Sequence, residues 1–180
     1  MDKWHINSRR NIFSSHIVNL EGRMSINPRN GNEAEYYIAS FPDWCNVIAL
    51  TPESEIILIR HFRHGSREFE IEFPGGCIDP GEDILKAAPR ELEEETGYIG
   101  ESPIQIAKFS PNPSFQTNHC YTVLIPNAKQ LSVQNLDEGE DIEIFSVPVT
   151  NIPKMIKDGE ITNSMIIAAF YFYELYKRDT

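Results

Sequence analysis

The segment Asp83 to Thr96 has the pattern of a helix, but one with an unfavourable charge distribution. Leu85, Ala88 and Leu92 fall at i, i+3 and i+7 on one face, and Gly97 stands where a C′ glycine belongs. Yet Glu91, Glu93, Glu94 and Glu95 crowd the last turn and a half, where the carbonyl end of a helix dipole already repels negative charge. Glu91 and Glu95 are like charges at i, i+4, with Glu94 at i+3, so three carboxylates share a face distinct from the apolar one. Pro89 removes the hydrogen bond to the Leu85 carbonyl and is expected to bend the helix, at about 3 kcal/mol if nothing compensates. Carboxylates alone would read as a solvated acidic face. Bound cations would offset their repulsion.

What precedes the helix decides between those two readings. A turn-rich loop, Pro74-Gly75-Gly76 and then Asp79-Pro80-Gly81, feeds it. Gly76, Glu82, Arg90, Glu91, Glu94, Glu95 and Gly97, with Leu92 between, stand at the fixed glycine and polar positions of the Nudix signature, and the segment resembles that family. Tyr98 replaces the usual aliphatic, and Pro89 stands where a helix former is expected. Neither position is a ligand, so these departures bear on helix geometry and leave the chemistry intact.

The resemblance implies a loop-helix-loop that holds Mg²⁺ or Mn²⁺ and hydrolyses a diphosphate attached to a nucleoside. It also implies the fold class, an α/β/α sandwich with a mixed sheet. Oxygen donors on one side of a helix beside an open loop suit a hard cation that keeps several waters and shares substrate phosphates. By the same resemblance Glu91 and Glu95 are ligands, Glu94 a third, and the Gly75 carbonyl a backbone ligand. Glu82 and Arg90 are read as a charged pair fixing the loop to the helix, and Gly76 and Gly97 as positions of tight turns and close approach.

Beyond the signature, Ile59-Arg60-His61-Phe62-Arg63-His64-Gly65 followed by Glu72-Phe73-Pro74-Gly75-Gly76 resembles the lead-in of ADP-ribose pyrophosphatases and related nucleoside diphosphate sugar hydrolases. Pro113 fits that branch, and Asp137-Glu138-Gly139-Glu140-Asp141-Ile142 resembles the acidic loop from which those enzymes draw a catalytic base and a further metal ligand. The implied assignments are Glu138 and Glu140 as catalytic carboxylates, Glu140 also on metal, and Arg60 and Arg63 at the diphosphate. Phe115 and Gln116 are placed at the substrate. Residues Asn112 to Asn118 lack the glycine and acidic residue of typical ADP-ribose enzymes and offer neutral groups suited to sugar hydroxyls, which favours broad nucleotide-sugar activity. The likeness runs from about Trp44 to Phe170.

The rest of the chain sets the frame. With 180 residues, one globular unit carrying a small extension is expected. Ser14 to Leu20 and Glu35 to Ser40 alternate as paired strands around the turn Asn27 to Asn32, so residues 1–43 read as a β extension and 44–180 as the Nudix domain. Val47 to Leu50 and Ile56 to Ile59 flank Thr51-Pro52-Glu53-Ser54, a hairpin signal. Ile104 to Phe109, Cys120 to Ile125 and Ile142 to Val147 read as strands, and Ile152 to Lys157 and Asn163 to Lys177 as helices. A net charge of −11 argues against a nucleic-acid or anionic-membrane partner. MDKWHINSRR lacks the apolar run of a secretory signal and no stretch is long enough to span a bilayer, so a cytoplasmic protein is expected. Cys45, Cys77 and Cys120, without a CxxC pair, read as packing residues.

His61 and His64 read as surface or phosphate-side polar groups, and Trp4 and Trp44 as packing residues. The expected function is metal-dependent hydrolysis of a nucleoside diphosphate sugar, with ADP-ribose and GDP-mannose leading. The alternative from another class is a module that binds ADP-ribose without cleaving it, against which the intact Glu91/Glu94/Glu95 set argues. RNA decapping lacks a basic stripe. A homodimer is expected in which the small extension lies against the partner and lends residues to its site.

Overall fold

The structure is a computed structural model that describes residues 1–179. The chain divides into two compact units: Met1–Pro42 with Ser110–His119, and Asp43–Phe109 with the chain from Cys120 onward. Among the described residues no helix is long and apolar enough to cross a membrane.

The first unit is an antiparallel meander of β1 (His5–Ser14), β2 (Asn19–Ile26) and β3 (Glu33–Ser40). The turn at Asn27 to Asn32 forms through two Asx contacts, Arg29 N–H to Asn27 Oδ1 and Asn32 N–H to Asn30 Oδ1. The expected strand over Ser14 to Leu20 is corrected: Ser15 Oγ accepts the N–H groups of Ile17 and Val18, and this local turn competes successfully with extension. The loop Ser110–His119 joins this sheet, with Ala39 N–H donating to the Phe115 carbonyl and Thr117 N–H to the Ala39 carbonyl.

The second unit begins with β4 (Trp44–Ala49), β5 (Glu55–Arg63), β6 (Glu68–Glu72) and α1 (Ile84–Thr96). Then come β7 (Tyr98–Ile99), β8 (Ile104–Phe109), β9 (Cys120–Ile125), β10 (Lys129–Gln130), β11 (Ile142–Pro148), α2 (Ile152–Lys157) and α3 (Ser164–Asp179). Strands order as β11-β5-β6, all antiparallel, and as β4-β9-β8, in which β4 runs parallel to β9. The Thr51–Ser54 signal does make a turn, with Ser54 N–H on the Thr51 carbonyl. It does not make a hairpin, because β4 takes its full ladder from β9 and only Leu50 and Ile56 bridge across the turn.

Alternation along β4 and β5 sends side chains to two cores. Val47, Ala49 and Ile57 meet Ala88 and Leu92 of α1 in one. Ile48, Ile56 and Leu58 meet Ile152, Ile166 and Phe170 of α2 and α3 in the other. Sheet covered on both faces by helices is the α/β/α sandwich with mixed strands. On α3, Tyr171 is exposed and Phe172 stacks on Phe109, so the helix is buried on one side only.

Helix α1 starts at Asp83, whose carboxylate accepts the Leu85 N–H at 2.9 Å, and stops at Gly97, which caps it at φ 70° with its N–H on the Glu93 carbonyl. It runs through Pro89 as one element. Its buried face is not the expected one: Leu85 is exposed, while Ala88, Leu92 and Glu95 are buried. Cys45 and Cys120 pack in the interior, but Cys77 is exposed.

Candidate active site

The helix and the loop before it are locked by one arginine. Arg90 Nε and Nη2 grip the two carboxylate oxygens of Glu82 at 3.1 and 3.0 Å, while Nη1 bonds Glu91 Oε1 and Glu94 Oε2, each at 2.9 Å. Bidentate pairing of a planar cation sets both distance and plane. Glu82 lies low in its carboxylate range because of the Arg90 hydrogen bond.

The glycine pair lets the loop press against this helix and against β4. The Pro74 and Gly76 carbonyls accept the N–H groups of Val47 and Cys45, and the Gly75 carbonyl between them takes no part in that ladder. A Cβ on Gly75 would lie 2.0 Å from the Cys45 carbonyl oxygen, and one on Gly76 would lie 2.4 Å from a Glu91 oxygen. At Gly75 the clash is with backbone and admits no side chain, whereas at Gly76 a side chain would displace the Glu91 carboxylate.

The three helix carboxylates are not equivalent. Glu94 is half-buried and faces Arg90. Glu91 is mostly enclosed, and burial raises its pKa against the pull of Arg90, with Glu94 and Glu140 adding to the rise. Glu95 is 4 % exposed and accepts the Gly75 N–H at 2.7 Å. Burial pushes its pKa up to about 8, opposed by that hydrogen bond and by Arg63 and reinforced by Glu91 and Glu140.

The charge of Glu140 in the acidic loop is felt at Glu91, Glu95, His61 and Arg63, with Asp141 also acting on His61. Glu138 is exposed. Gln134, which the sequence reading passed over, ties the loop down: its Nε2 donates to the carbonyls of Glu95 and Ile142 at 2.8 and 3.1 Å. Asn135 N–H adds a bond to the Glu94 carbonyl. A lone Gln in a polar stretch carries no signal of such a role.

The two arginines of β5 separate. Three residues apart on a strand, they point to opposite faces. Arg63 pairs with buried Glu72, through Nε at 3.2 Å to both oxygens and Nη2 at 2.5 Å, and lies over the Trp44 ring, 5.8 Å from its centroid. Arg60 pairs instead with Glu143 at 2.7 Å and lies over Phe145. Arg60 therefore lies on the strand face opposite Arg63, engaged by Glu143. Phe115 and Gln116 belong to the first unit, in the loop attached to β3. His61 is half-buried, and its Nδ1 has no hydrogen-bond partner among the described residues.

The donor set fits a hard divalent cation. Glu91 and Glu95 are desolvated carboxylates; Glu91 adds to the rise at Glu95, Glu94 to that at Glu91, and Glu140 to both. An ion bound between them would relieve that repulsion. Among the described residues no three acidic, His or Cys side chains already converge on one point. Glu91 and Glu94 are turned onto Arg90, and Glu95 onto the Gly75 N–H.

The NUDIX domain family matches residues 43–170. Over 172 residues, 93% of this chain and 91% of the relative, the sequence is 29% identical to an ADP-ribose pyrophosphatase of Bacillus subtilis. It is 30% identical over 166 residues, 91% of this chain and 89% of the relative, to a methanol dehydrogenase activator of Bacillus methanolicus. A solved structure described as ADP compounds hydrolase matches 99% of this chain and 96% of its own with a TM-score of 0.88 at 22% identity, a likeness of fold.

Proposed function

This chain belongs to the Nudix family, and on that premise we propose that it hydrolyses the diphosphate of ADP-ribose and other nucleoside diphosphate sugars. The products are a nucleoside monophosphate and a sugar phosphate. The observation that carries the reading is the juxtaposition at the end of α1: desolvated Glu91 and Glu95 beside loop Glu140, with the Arg63 guanidinium acting on the same group. Anionic oxygens next to a fixed cation suit a metal-bound diphosphate. The similarity to an ADP-ribose pyrophosphatase over 93% of the chain supports ADP-ribose among the substrates.

Glu91, Glu95 and Glu140, with the Gly75 carbonyl and Glu94, would hold Mg²⁺ or Mn²⁺. Such an ion, when bound, neutralises the diphosphate oxygens and stabilises the leaving phosphate. Arg63 binds a phosphate oxygen, and Arg90 keeps loop and helix in register through Glu82. Glu138 takes the proton of the water that attacks phosphorus, because a carboxylate committed to a cation is a poor base. Phe115 and Gln116 contact the sugar or the base.

The test is kcat/KM on ADP-ribose, ADP-glucose, GDP-mannose, UDP-glucose, dATP and 8-oxo-dGTP in one buffer. The nucleotide sugars are expected to lead both triphosphates by about a hundredfold. A triphosphate at the top overturns the reading, and binding without turnover replaces it with the ADP-ribose sensor.

The same reading takes residues 1–43 as the seat of a second copy. Ile12, Phe13, Tyr36 and Tyr37 are exposed on its sheet and offer apolar surface to a partner. Light scattering at micromolar concentration should give a dimer, and a fully active monomer removes this element. Three unpaired cysteines support a reducing, cytoplasmic setting, and the acidic chain supports no role for nucleic acid or membrane.

A further inference from the structure

The strand β6 reads as half-exposed, with Phe69, Ile71 and Phe73 alternating against Glu68, Glu70 and Glu72. Alternation would put Glu72 in water, yet it is 3 % exposed. A charge in that position has to be fully engaged, and it is. Arg63 grips both of its oxygens from one side. From the other, Asn163 Nδ2 donates to Oε1 at 2.9 Å.

Asn163 is itself fixed. It precedes α3, its Oδ1 accepts the Met165 N–H at 2.9 Å, and its carbonyl accepts the N–H groups of Ile166 and Ile167. The helix start therefore decides which end of the amide faces the helix and which faces Glu72. Thr162, one residue earlier, repeats the tie with its Oγ1 on Glu70 at 2.8 Å. The chain that opens α3 is thus stitched to β6 at two successive positions.

Arg63 is the point at which this network leaves the interior. Its side chain is 32 % exposed against 4 % for Glu72. It lies over Trp44 and lines a cavity of about 500 Å³ with Trp44, Asn46, Ser66 and Asn163. It also acts on Glu95, at the end of α1. With Nε and Nη2 held by Glu72, Nη1 is the guanidinium nitrogen left for a ligand.

We propose that Glu72 and Asn163 are positioning residues for Arg63: the capped start of α3 orients Glu72, and Glu72 orients the guanidinium so that Nη1 faces the substrate diphosphate. The inference rests on the diphosphate-sugar reading above and adds to it the device that aims the arginine. A long, rotamer-rich side chain loses less freedom on binding if it is already held by two of its nitrogens. Failure of the device should therefore weaken diphosphate binding more than it slows the chemical step.

Asn163→Ser separates this role from helix capping, because serine caps as well as asparagine but cannot reach Glu72 with a donor. The variant is made in the natural chain and in an Arg63→Lys background. KM and kcat are measured on ADP-ribose with Mg²⁺, and ADP affinity is measured by calorimetry. In the natural background Asn163→Ser is expected to raise KM and the ADP Kd about tenfold, with kcat within about threefold. In the Arg63→Lys background it should change neither by more than about twofold. Equal losses in both backgrounds, or none in either, overturn the proposal. If Asn163→Ser does not fold, Glu72→Gln in the same two backgrounds decides by the same criterion. A natural chain that binds ADP and shows the coupling but cleaves no nucleotide sugar keeps the positioning role and rejects the hydrolase reading. A natural chain with no affinity for ADP rejects the positioning role.

Discussion

Glu95→Gln lowers turnover of ADP-ribose by about 10³-fold, a loss of ~4 kcal/mol in transition-state stabilisation, without lowering the melting temperature. The two halves of that expectation come from the same geometry. Glu95 sits 4 % exposed at the end of α1, and burial pushes its pKa up to about 8. Glutamine keeps an oxygen for the Gly75 N–H and carries no charge for the interior to disfavour, so the fold is expected to keep its stability. What it loses is an anionic oxygen for the cation that neutralises the diphosphate. A residue there for the fold alone would behave in the opposite way, with stability down and activity following. EDTA should abolish activity and added Mg²⁺ or Mn²⁺ restore it in the natural chain. Activity near the natural level in Glu95→Gln, or activity that survives EDTA, rejects the metal-site assignment.

That contrast between stability and function is invisible at the level of helix periodicity. The positions of Leu85, Ala88 and Leu92 suggest an apolar face with the glutamates elsewhere. In the folded chain the covered face is Ala88, Leu92 and Glu95, with Ile84 packing on its edge and Leu85 turned outward. Spacing can favour a helix without deciding which of two overlapping stripes is covered, because that depends on where β4 and β9 run beneath it. The same gap explains Arg60 and Arg63. Both belong to a stretch whose residues resemble a substrate-binding lead-in, but strand alternation sends only Arg63 toward Glu95 and gives Arg60 to Glu143. It explains the Thr51–Ser54 turn as well, since a turn is local and the partner of each flanking strand is not.

Other features were legible because their chemistry is local. Asp83 and Gly97 bound α1 by capping contacts made within a few residues, and Glu82 with Arg90 is a short-range pair. The likeness read from about Trp44 to Phe170 and the family match over residues 43–170 cover nearly the same stretch, and within it Gly75 and Gly97 stand where a side chain would strike backbone. Glu72, Asn163 and Gln134 were not legible. Each acts through a partner far along the chain, 91 residues away in the case of Glu72 and Asn163, and each alone looks like an ordinary surface residue.

The acidic loop supplies the second large effect, and there the two glutamates should part. Glu140→Gln is expected to lower kcat by about 10²–10³ and to raise the metal concentration needed for half-maximal rate. Glu138→Gln should lower kcat by a similar factor and leave that metal concentration unchanged. The Glu140 carboxylate accepts the Asp137 N–H at 3.0 Å, and its charge adds to the raised pKa of both Glu91 and Glu95. A carboxylate bound to a cation is a poor base for water. Glu138 is exposed two residues earlier, in a loop whose one end is pinned by Gln134 to the Glu95 and Ile142 carbonyls and whose turn is closed by Glu140 N–H on the Asp137 carbonyl. On this reading its carboxylate is the group that takes the proton of the attacking water. Measured over a range of Mg²⁺, two variants with the same metal response would show that base and ligand are not divided between these residues. Natural activity in both would place the base outside the loop, with His61, half-buried beside Glu140 and Arg63, the next group to replace.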